Sequence, residues 1–400
     1  MPIHAVSGRV VLPHGMLPSG VVVVEDDRIA WAGDAADLPE QYCEVPALAA
    51  PPGGHVLPGL VDLHCHGGGG ASFPDAADED DAMTAVLEHR RHGTTTLVAS
   101  LVTAAPDRLL RQVALLARLA DAGEITGIHL EGPFLSVTRC GAQDPALLLP
   151  ADPQLTGALL EAGGGHVRTM TLAPEAPGVL GDGGVAAVLA CAGALPSWGH
   201  TDAGPETAAL ALAESFRLLG DPATGGRRPT VTHLFNGMRP WSHRGPGPVG
   251  EFLVAAQRGR AVVELVADGT HVDPAVVREV VQLVGRDGVA LVTDAMAAAG
   301  MPDGAYRLGS QDVVVTGGVA RLAAREALAG GTAHLLDVVR ATVAGGVSLV
   351  DAVHMASSVP ASVLGLAGRG VLAAGARADV VLTDADLRVD TVLRGGVVVA

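Results

Sequence analysis

Eight short apolar segments of this chain each end in, or just before, a polar residue that can bind a metal ion or move a proton. In chain order these residues are His64 with His66, Ser100, Glu131, Glu175, His200, His233, Asp268 with His271, and Asp294. A buried parallel strand is apolar until it reaches the surface, and the carboxyl ends of successive parallel strands lie at one edge. The sequence therefore predicts that these side chains converge on one active site.

Segments with helical spacing alternate with the apolar segments. They cover residues 80–92, 107–123, 144–162, 205–220, 247–258, 273–285 and 325–345, whereas the glycine-rich stretch 178–194 has only a weak helical pattern. Alternation of strand and helix, repeated around a closed sheet, is typical of a (β/α)8 barrel. We predict an α/β fold, with a TIM-like (β/α)8 barrel over residues 56–368.

The two ends of the chain have a different pattern. Residues 1–55 and 369–400 carry short β-like segments separated by turns, and we predict that they pair into one small β-sandwich domain, with its first part at 1–55 and its second at 369–400. Residues 300–322 are also β-rich and follow the last predicted barrel strand.

Composition narrows the functional classes. A formal charge of −17 and 2% aromatic residues argue against nucleic-acid binding. The four cysteines are scattered and lack a C-x-x-C pair, and neither an export signal nor a membrane span is expected. These features predict a cytoplasmic enzyme.

The polar residues at the strand ends suit a metal site. His64 and His66 are two apart on a strand and so point to the same side. Imidazole and carboxylate together favour one or two divalent ions, Zn²⁺ foremost, with Fe²⁺, Mn²⁺ or Co²⁺ as alternatives. The predicted ligands are His64, His66, Glu131, His200, His233 and Asp294. Glu131 could bridge two ions, and Asp294 could act as the general base and then the acid.

Two further segments are candidates for substrate binding. His271, just beyond the seventh strand, could hydrogen-bond a substrate hydroxyl. The loop after the sixth strand contains Asn236, Gly237, His243 and Arg244, which could cradle an anion because Arg matches phosphate oxygens and Gly lets the backbone approach. A flexible, solvated loop is the alternative.

Several motifs spread along the barrel carry a resemblance to a known family. They are PGLVDLHCHG at 58–67, HLEGPF at 129–134, GHTDA at 199–203, THLFNGM at 232–238, DGTHV at 268–272 and LVTDAMAAAG at 291–300. The chain resembles the amidohydrolase superfamily and, within it, the N-acetylglucosamine-6-phosphate deacetylases. The resemblance implies hydrolysis of N-acetylglucosamine 6-phosphate to glucosamine 6-phosphate and acetate, by a homodimer whose partner subunit helps to close the phosphate site.

The resemblance also implies a role for each matching residue. Glu131, His200 and His233 would hold the metal that activates water, and His64 and His66, near Asp294, would form a second metal position. Asp294 would be the general base and acid. The 6-phosphate would be held by Asn236, Gly237 and Arg244, and the sugar would contact His271.

One residue departs from the family pattern. After EGPF the family usually has G-A-H, whose histidine contacts the acetamide carbonyl, but here the segment reads RCGAQDP with Gln143 in that place. Glutamine donates a neutral hydrogen bond, so we expect weakened deacetylation or a shifted substrate, and a gain of activity in Gln143→His. Two alternatives stay open. One is an amidohydrolase acting on another amide, such as that of N-acetylgalactosamine 6-phosphate; the other is a catalytically impaired sugar-phosphate-binding protein.

Overall fold

The computed structural model describes residues 3–400, and the chain begins with five strands. They are β1 (His4–Leu12), β2 (Gly15–Glu25), β3 (Arg28–Asp34), β4 (Ala47–Ala49) and β5 (His55–Pro58). β1, β2 and β3 are antiparallel neighbours, whereas β4 and β5 pair with β1 in parallel. In β2, Val22 and Val24 pack into one apolar cluster and Val21 and Val23 into another, so the valine run serves both faces of the sheet.

A single residue separates β5 from the first strand of the barrel. Its first strand is β6 (Leu60–Cys65), and a short ribbon follows, formed by β7 (Gly67–Gly68) and β8 (Ala71–Ser72). The other barrel strands are β9 (Thr94–Leu101), β10 (Gly127–Glu131), β11 (Val167–Leu172), β12 (Leu195–Trp198), β13 (Thr230–Val231), β14 (Val262–Leu265) and β15 (Val289–Leu291). They form one parallel sheet in chain order, β6 to β15. The eight predicted strands are confirmed.

The seam between β15 and β6 closes the barrel through polar contacts. The backbone N–H of Asp294 donates to the His64 carbonyl oxygen at 2.9 Å. The Thr293 hydroxyl donates to the buried Asp62 carboxylate at 2.6 Å. The two ends of the sheet are therefore joined beside the predicted metal ligands.

Helices follow the barrel strands and cover their outer side. They are α1 (Glu79–Arg91), α2 (Pro106–Asp121), α3 (Pro153–Ala162), α4 (Val185–Cys191), α5 (Pro205–Leu219), α6 (Val249–Gln257), α7 (Pro274–Val284), α8 (Leu335–Ala344), α9 (Leu349–Met355) and α10 (Ser358–Val363). In α2, Leu109, Val113 and Leu116 recur at helical spacing and are buried in the main core.

The helix predicted over 144–162 begins later than its apolar pattern suggested. Pro153 is the first helical residue, and the Asp152 side chain accepts hydrogen bonds from Gln154 N and Leu155 N at 2.8 and 3.1 Å. An aspartate cap followed by proline is a strong start signal, so the preceding residues form a separate loop.

A small antiparallel sheet follows the last barrel strand, as predicted for residues 300–322. It consists of β16 (Gly304–Leu308), β17 (Gln311–Thr316) and β18 (Val319–Leu322). Its buried residues form an apolar cluster with Met296, Ala297 and Ala298. The insertion is therefore packed against the segment that follows Asp294.

The C-terminal strands return to the N-terminal sheet. They are β19 (Val380–Thr383), β20 (Val389–Arg394) and β21 (Val397–Val398), and β19 pairs antiparallel with β5. The prediction of a small β domain built from both termini is confirmed, and all its strands belong to one sheet. The predicted boundary at residue 55 falls on the first residue of β5 and stays a prediction. Within residues 3–400, each helix is too short or too polar to cross a membrane.

Candidate active site

Six predicted ligands lie together at the carboxyl ends of five barrel strands. His64 lies in β6 and His66 directly follows it, Glu131 ends β10, and His200, His233 and Asp294 follow β12, β13 and β15 within three residues. His200, His233 and Asp294 have positive φ angles of 47°, 27° and 47°. Such backbone is uncommon outside glycine and stores about 1–3 kcal/mol of strain per residue, which is typical of functional sites.

The first group of ligands surrounds one oxygen of Glu131. Glu131 Oε1 lies 2.9 Å from His200 Nε2 and 2.9 Å from His233 Nε2. The two imidazole nitrogens are 3.1 Å apart. Three ligand atoms therefore face one point at the mouth of the barrel.

The second group lies beside the other oxygen of Glu131. His64 Nε2 and His66 Nε2 are 3.0 Å apart, and Asp294 Oδ1 lies 3.5 and 3.3 Å from them. His66 Nε2 is 3.2 Å from Glu131 Oε2. Glu131 thus lies between the two groups, as a bridging carboxylate would.

The outer nitrogens of three histidines are held by acceptors. His64 Nδ1 lies 3.3 Å from the Glu264 carboxylate, His66 Nδ1 lies 3.2 Å from the Ser100 carbonyl oxygen, and His200 Nδ1 lies 2.7 Å from the Arg139 carbonyl oxygen. A proton on each Nδ1 satisfies these acceptors, so Nε2 is the nitrogen that can bind an ion once its own proton has left. The facing nitrogen and carboxylate atoms of each group lie within 4.8 Å of one another, so the residues fit one or two divalent ions.

The pKa shifts of residues in the two groups agree with a site for a divalent ion. Burial would raise the pKa of Glu131, but its hydrogen bonds with His200, His233 and His66 hold it well below the ordinary value. Burial would lower the pKa of His66, but hydrogen bonds with Asp294 and Glu131 raise it. The metal-free cluster therefore combines ionised carboxylates with retained protons, and an incoming cation would replace those protons.

Two carboxylates that support the cluster were missed by the sequence analysis. Glu264 is buried in β14, and besides His64 it accepts the His233 backbone N–H at 3.4 Å. Asp62 is buried in β6 and accepts from His64 N and Thr293, and burial raises its pKa to about 6. Each is an acidic residue inside a buried barrel strand, and that signal could have identified them.

Removing the charge of Glu264 is expected to weaken ion binding. In Glu264→Gln, the His64 imidazole loses the carboxylate that fixes its tautomer, so affinity for a divalent ion should fall about 10–100-fold. Calorimetric titration of the metal-stripped protein measures it, with Glu206→Gln at the exposed start of α5 as control. Equal affinity in the variant and the parent would show that Glu264 does not orient His64.

Five of the six predicted ligands, all except His64, line a cavity of about 230 Å³. The cavity is also lined by four predicted substrate residues, Gln143, Asn236, Gly237 and His271, and by Leu308, Ala327, Leu328 and Gly330. The last four belong to the insertion after β15 and the segment that follows it, so this part of the chain covers one side of the site. Its contribution was not predicted from the sequence.

Gly237 occupies a position where a side chain does not fit. Its φ is 58°, and an added Cβ would lie 2.6 Å from His200 Nδ1. Its carbonyl oxygen accepts the Thr201 N–H at 2.9 Å, which ties the loop after β13 to the loop after β12. The glycine therefore allows the backbone to approach both the histidine and the cavity.

His271 forms a pair with Asp268. Its Nδ1 lies 2.8 Å from Asp268 Oδ2, and its backbone N–H donates to Asp268 Oδ1 at 2.8 Å. Burial alone would lower the pKa of His271, but the hydrogen bond and charge of Asp268 raise it above the ordinary value. His271 therefore stays protonated to higher pH and presents a donor to the cavity.

Replacing Asp268 by Asn should lower the pKa of His271. The raised pKa contributes stability below about pH 6.5, the unfolded value, and that stability is lost as pH rises through the folded pKa. In Asp268→Asn the pKa of His271 in the folded protein falls. The contribution of His271 to the free energy of unfolding should therefore be smaller and should be lost at lower pH. NMR titration of His271 Cε1–H measures the change, and an unchanged midpoint would contradict it.

The remaining strand-end residues lie outside the ligand cluster. Glu175 accepts a hydrogen bond from the Thr201 hydroxyl at 2.5 Å and one from the Asp202 N–H at 2.6 Å, and therefore anchors the loop after β12.

Arg244 is exposed on the loop after β13, where its backbone N–H donates to Ser242 Oγ at 3.5 Å. It does not line the cavity of its own chain. Its predicted phosphate contact stays a prediction.

The barrel and its cluster of histidines and carboxylates correspond to a known class of protein. Residues 55–399 match the model of the Amidohydrolase family. Curated relatives named N-acetylglucosamine-6-phosphate deacetylase include those of Lysinibacillus sphaericus, 35% identical over 86% of this chain and 85% of the relative, and of Homo sapiens, 35% identical over 86% and 83%. A relative from Escherichia coli O157:H7, 33% identical over 84% and 85%, is named N-acetylgalactosamine-6-phosphate deacetylase.

A solved structure has the same architecture throughout. It is a mutant of the N-acetyl-D-glucosamine-6-phosphate deacetylase from Mycobacterium smegmatis in complex with N-acetyl-D-glucosamine-6-phosphate, 42% identical, with a TM-score of 0.90 over 100% of both chains. The chain belongs to the amidohydrolase family and, within it, to the group named N-acetylglucosamine-6-phosphate deacetylases. It is therefore a hydrolase that acts on amide bonds. The resemblance found in the sequence is confirmed.

Proposed function

We propose that this protein hydrolyses the acetamide of N-acetylglucosamine 6-phosphate to glucosamine 6-phosphate and acetate, in a reaction that depends on a divalent metal ion. The observation that carries the proposal is the lining of one cavity by Glu131, His200, His233, His66 and Asp294. When bound, a divalent ion polarises a carbonyl oxygen and lowers the pKa of water. Zn²⁺ is the ion that this imidazole and carboxylate set suits best.

Asp294 is the residue that moves the proton. It lines the cavity, and its Oδ1 lies 3.3 Å from His66 Nε2. Burial would raise its pKa, but the charge of His64 and the hydrogen bond and charge of His66 lower it. Asp294 is therefore ionised at neutral pH, and it can accept a proton from water and later deliver it to the leaving amine.

Four residues on the cavity wall bind the substrate. Gln143 has an amide N–H available for the acetamide carbonyl, and protonated His271 donates to a sugar hydroxyl. Asn236 and the backbone of Gly237 line the same cavity and bind the 6-phosphate. This distribution of donors suits a polar sugar with an anionic group, since buried acceptors on a ligand need donors from the protein.

We propose that Arg244 acts across a homodimer interface. The same loop exposes Trp241, 55% accessible, which lines an adjoining cavity of about 440 Å³ with Leu283, 60% accessible. Exposed large apolar side chains next to a functional site are typical of protein interfaces. An exposed loop at such an interface can carry Arg244 to the 6-phosphate in the partner's cavity.

A cytoplasmic location accompanies this function. All four cysteines are unpaired thiols. Free thiols are typical of a reducing compartment, where a sugar phosphate is also retained.

Acetate release tests the proposal. Protein with its metal content counted is given N-acetylglucosamine 6-phosphate, N-acetylgalactosamine 6-phosphate and unphosphorylated N-acetylglucosamine. We expect turnover of the first that requires both phosphate and metal. If N-acetylgalactosamine 6-phosphate is turned over faster, the protein would be a deacetylase of that compound, as the name of the E. coli relative indicates. Micromolar binding of the sugar phosphate without acetate release would show that the protein binds a sugar phosphate and does not hydrolyse it.

A further inference from the structure

We propose that Gln143 makes the two ion positions unequal, by donating a hydrogen bond to the Glu131 oxygen that faces the His64 and His66 side of the site. The inference rests on the proposed metal dependence, but it concerns ion binding rather than the reaction. It assigns Gln143 a positioning role in addition to its predicted contact with the acetamide.

Both ends of the Gln143 side chain are fixed. Its Oε1 accepts the Thr103 backbone N–H at 2.8 Å, and its Nε2 donates to Glu131 Oε2 at 2.6 Å. The Thr103 N–H can only donate, so the amide oxygen must face it and the amide nitrogen must face Glu131. The side chain is buried, 4% accessible, so water does not compete for these bonds.

The two oxygens of Glu131 consequently differ. Oε1 lies 2.9 Å from His200 Nε2 and 2.9 Å from His233 Nε2, with His64 Nε2 farther away at 3.8 Å. Oε2 faces His66 and also accepts from Gln143, which occupies one lone pair and withdraws electron density from that oxygen. An ion beside His64 and His66 therefore has a weaker oxygen ligand than an ion beside His200 and His233.

The loop that carries Gln143 also positions His200. The Arg139 carbonyl oxygen accepts from His200 Nδ1 at 2.7 Å. Gly141 lies against the same ring, where an added Cβ would be 3.1 Å from His200 Cε1. Residues 139–143 therefore orient two of the three ligands of the first position, His200 and Glu131, whereas at the second position they contact only the shared Glu131.

The test replaces the donor without changing side-chain length. Metal-stripped Gln143→Met is titrated with Zn²⁺ by calorimetry and with Co²⁺ by visible absorption. In the parent protein we expect two steps of unequal affinity, or a single ion. In the variant, an ion beside His200 and His233 should bind about 10–100-fold more weakly, because Glu131 loses the hydrogen bond that orients it. An ion beside His64 and His66 should bind more tightly. The affinities of the two binding steps should therefore become more similar. If the parent binds a single ion, the variant should bind a second one.

Gln112→Met is the matched control. Gln112 lies on α2 and donates to the carbonyl oxygens of Phe73, Pro74 and Ala76, away from the ligands. Its titration should equal that of the parent. An unchanged titration in Gln143→Met, in a protein whose circular dichroism matches the parent, would overturn the proposal. Because the readout is ion binding, a parent protein that fails to release acetate would refute the proposed function and leave this test valid.

Discussion

Asp294→Asn should lower kcat by about 10²–10⁴-fold, the usual contribution of a general acid–base group. The carboxamide has the same shape but cannot accept the proton from water or return it to the amine. KM should change little, because substrate binding depends on other residues of the cavity. Steady-state acetate release measures both parameters.

Two controls separate lost chemistry from lost structure in this variant. Metal content must be counted, because Asp294 also lies 3.5 Å from His64 Nε2 and is a predicted ligand. Asp121→Asn, an exposed aspartate at the end of α2, should leave kcat unchanged. If Asp294→Asn retained its ion and more than a tenth of the activity, another group would be the base.

Glu131→Gln should abolish tight ion binding at the first position. The amide nitrogen or oxygen that replaces the carboxylate cannot neutralise a cation beside His200 and His233. Removing one partner of a buried charge pair costs about 3–5 kcal/mol, or roughly 10²–10⁴ in affinity. Activity should fall with the ion content.

Thermal unfolding with and without the ion measures this effect. An ion present at 1,000 times its Kd stabilises a folded protein by about 4 kcal/mol, so the melting temperature of the parent should rise on adding Zn²⁺ and fall with a chelator. Glu131→Gln should show at most about a third of that stabilisation at the same concentration, whereas Glu161→Gln on the exposed side of α3 should behave as the parent. An equal rise in Glu131→Gln would remove Glu131 from the ligand set.

The barrel and the position of the ligand cluster were predictable because they depend on local rules. Each apolar segment fixes a strand, and the common direction of parallel strands brings His64, Glu131 and Asp294 to one edge. The start of α3 was also readable from Asp152 and Pro153, although the apolar pattern alone placed it too early.

Other features depend on contacts between segments distant in the chain, which no local pattern contains. Gln143 meets Thr103 across 40 residues, and Glu264 meets His64 across 200. The cover over the cavity by Leu308 and Leu328 likewise depends on how an insertion folds back. The sequence predicted which residues could bind an ion, but it did not reveal the groups that orient them.

The left-handed backbone at His200, His233 and Asp294 limits how mutational scans of this family can be interpreted. Asparagine and glycine tolerate that conformation, whereas alanine and β-branched residues do not. An alanine scan therefore adds a backbone penalty to the loss of each side chain and overstates its chemical contribution. At these three positions asparagine is the informative replacement, and natural variation among related chains should be restricted to the same few residue types.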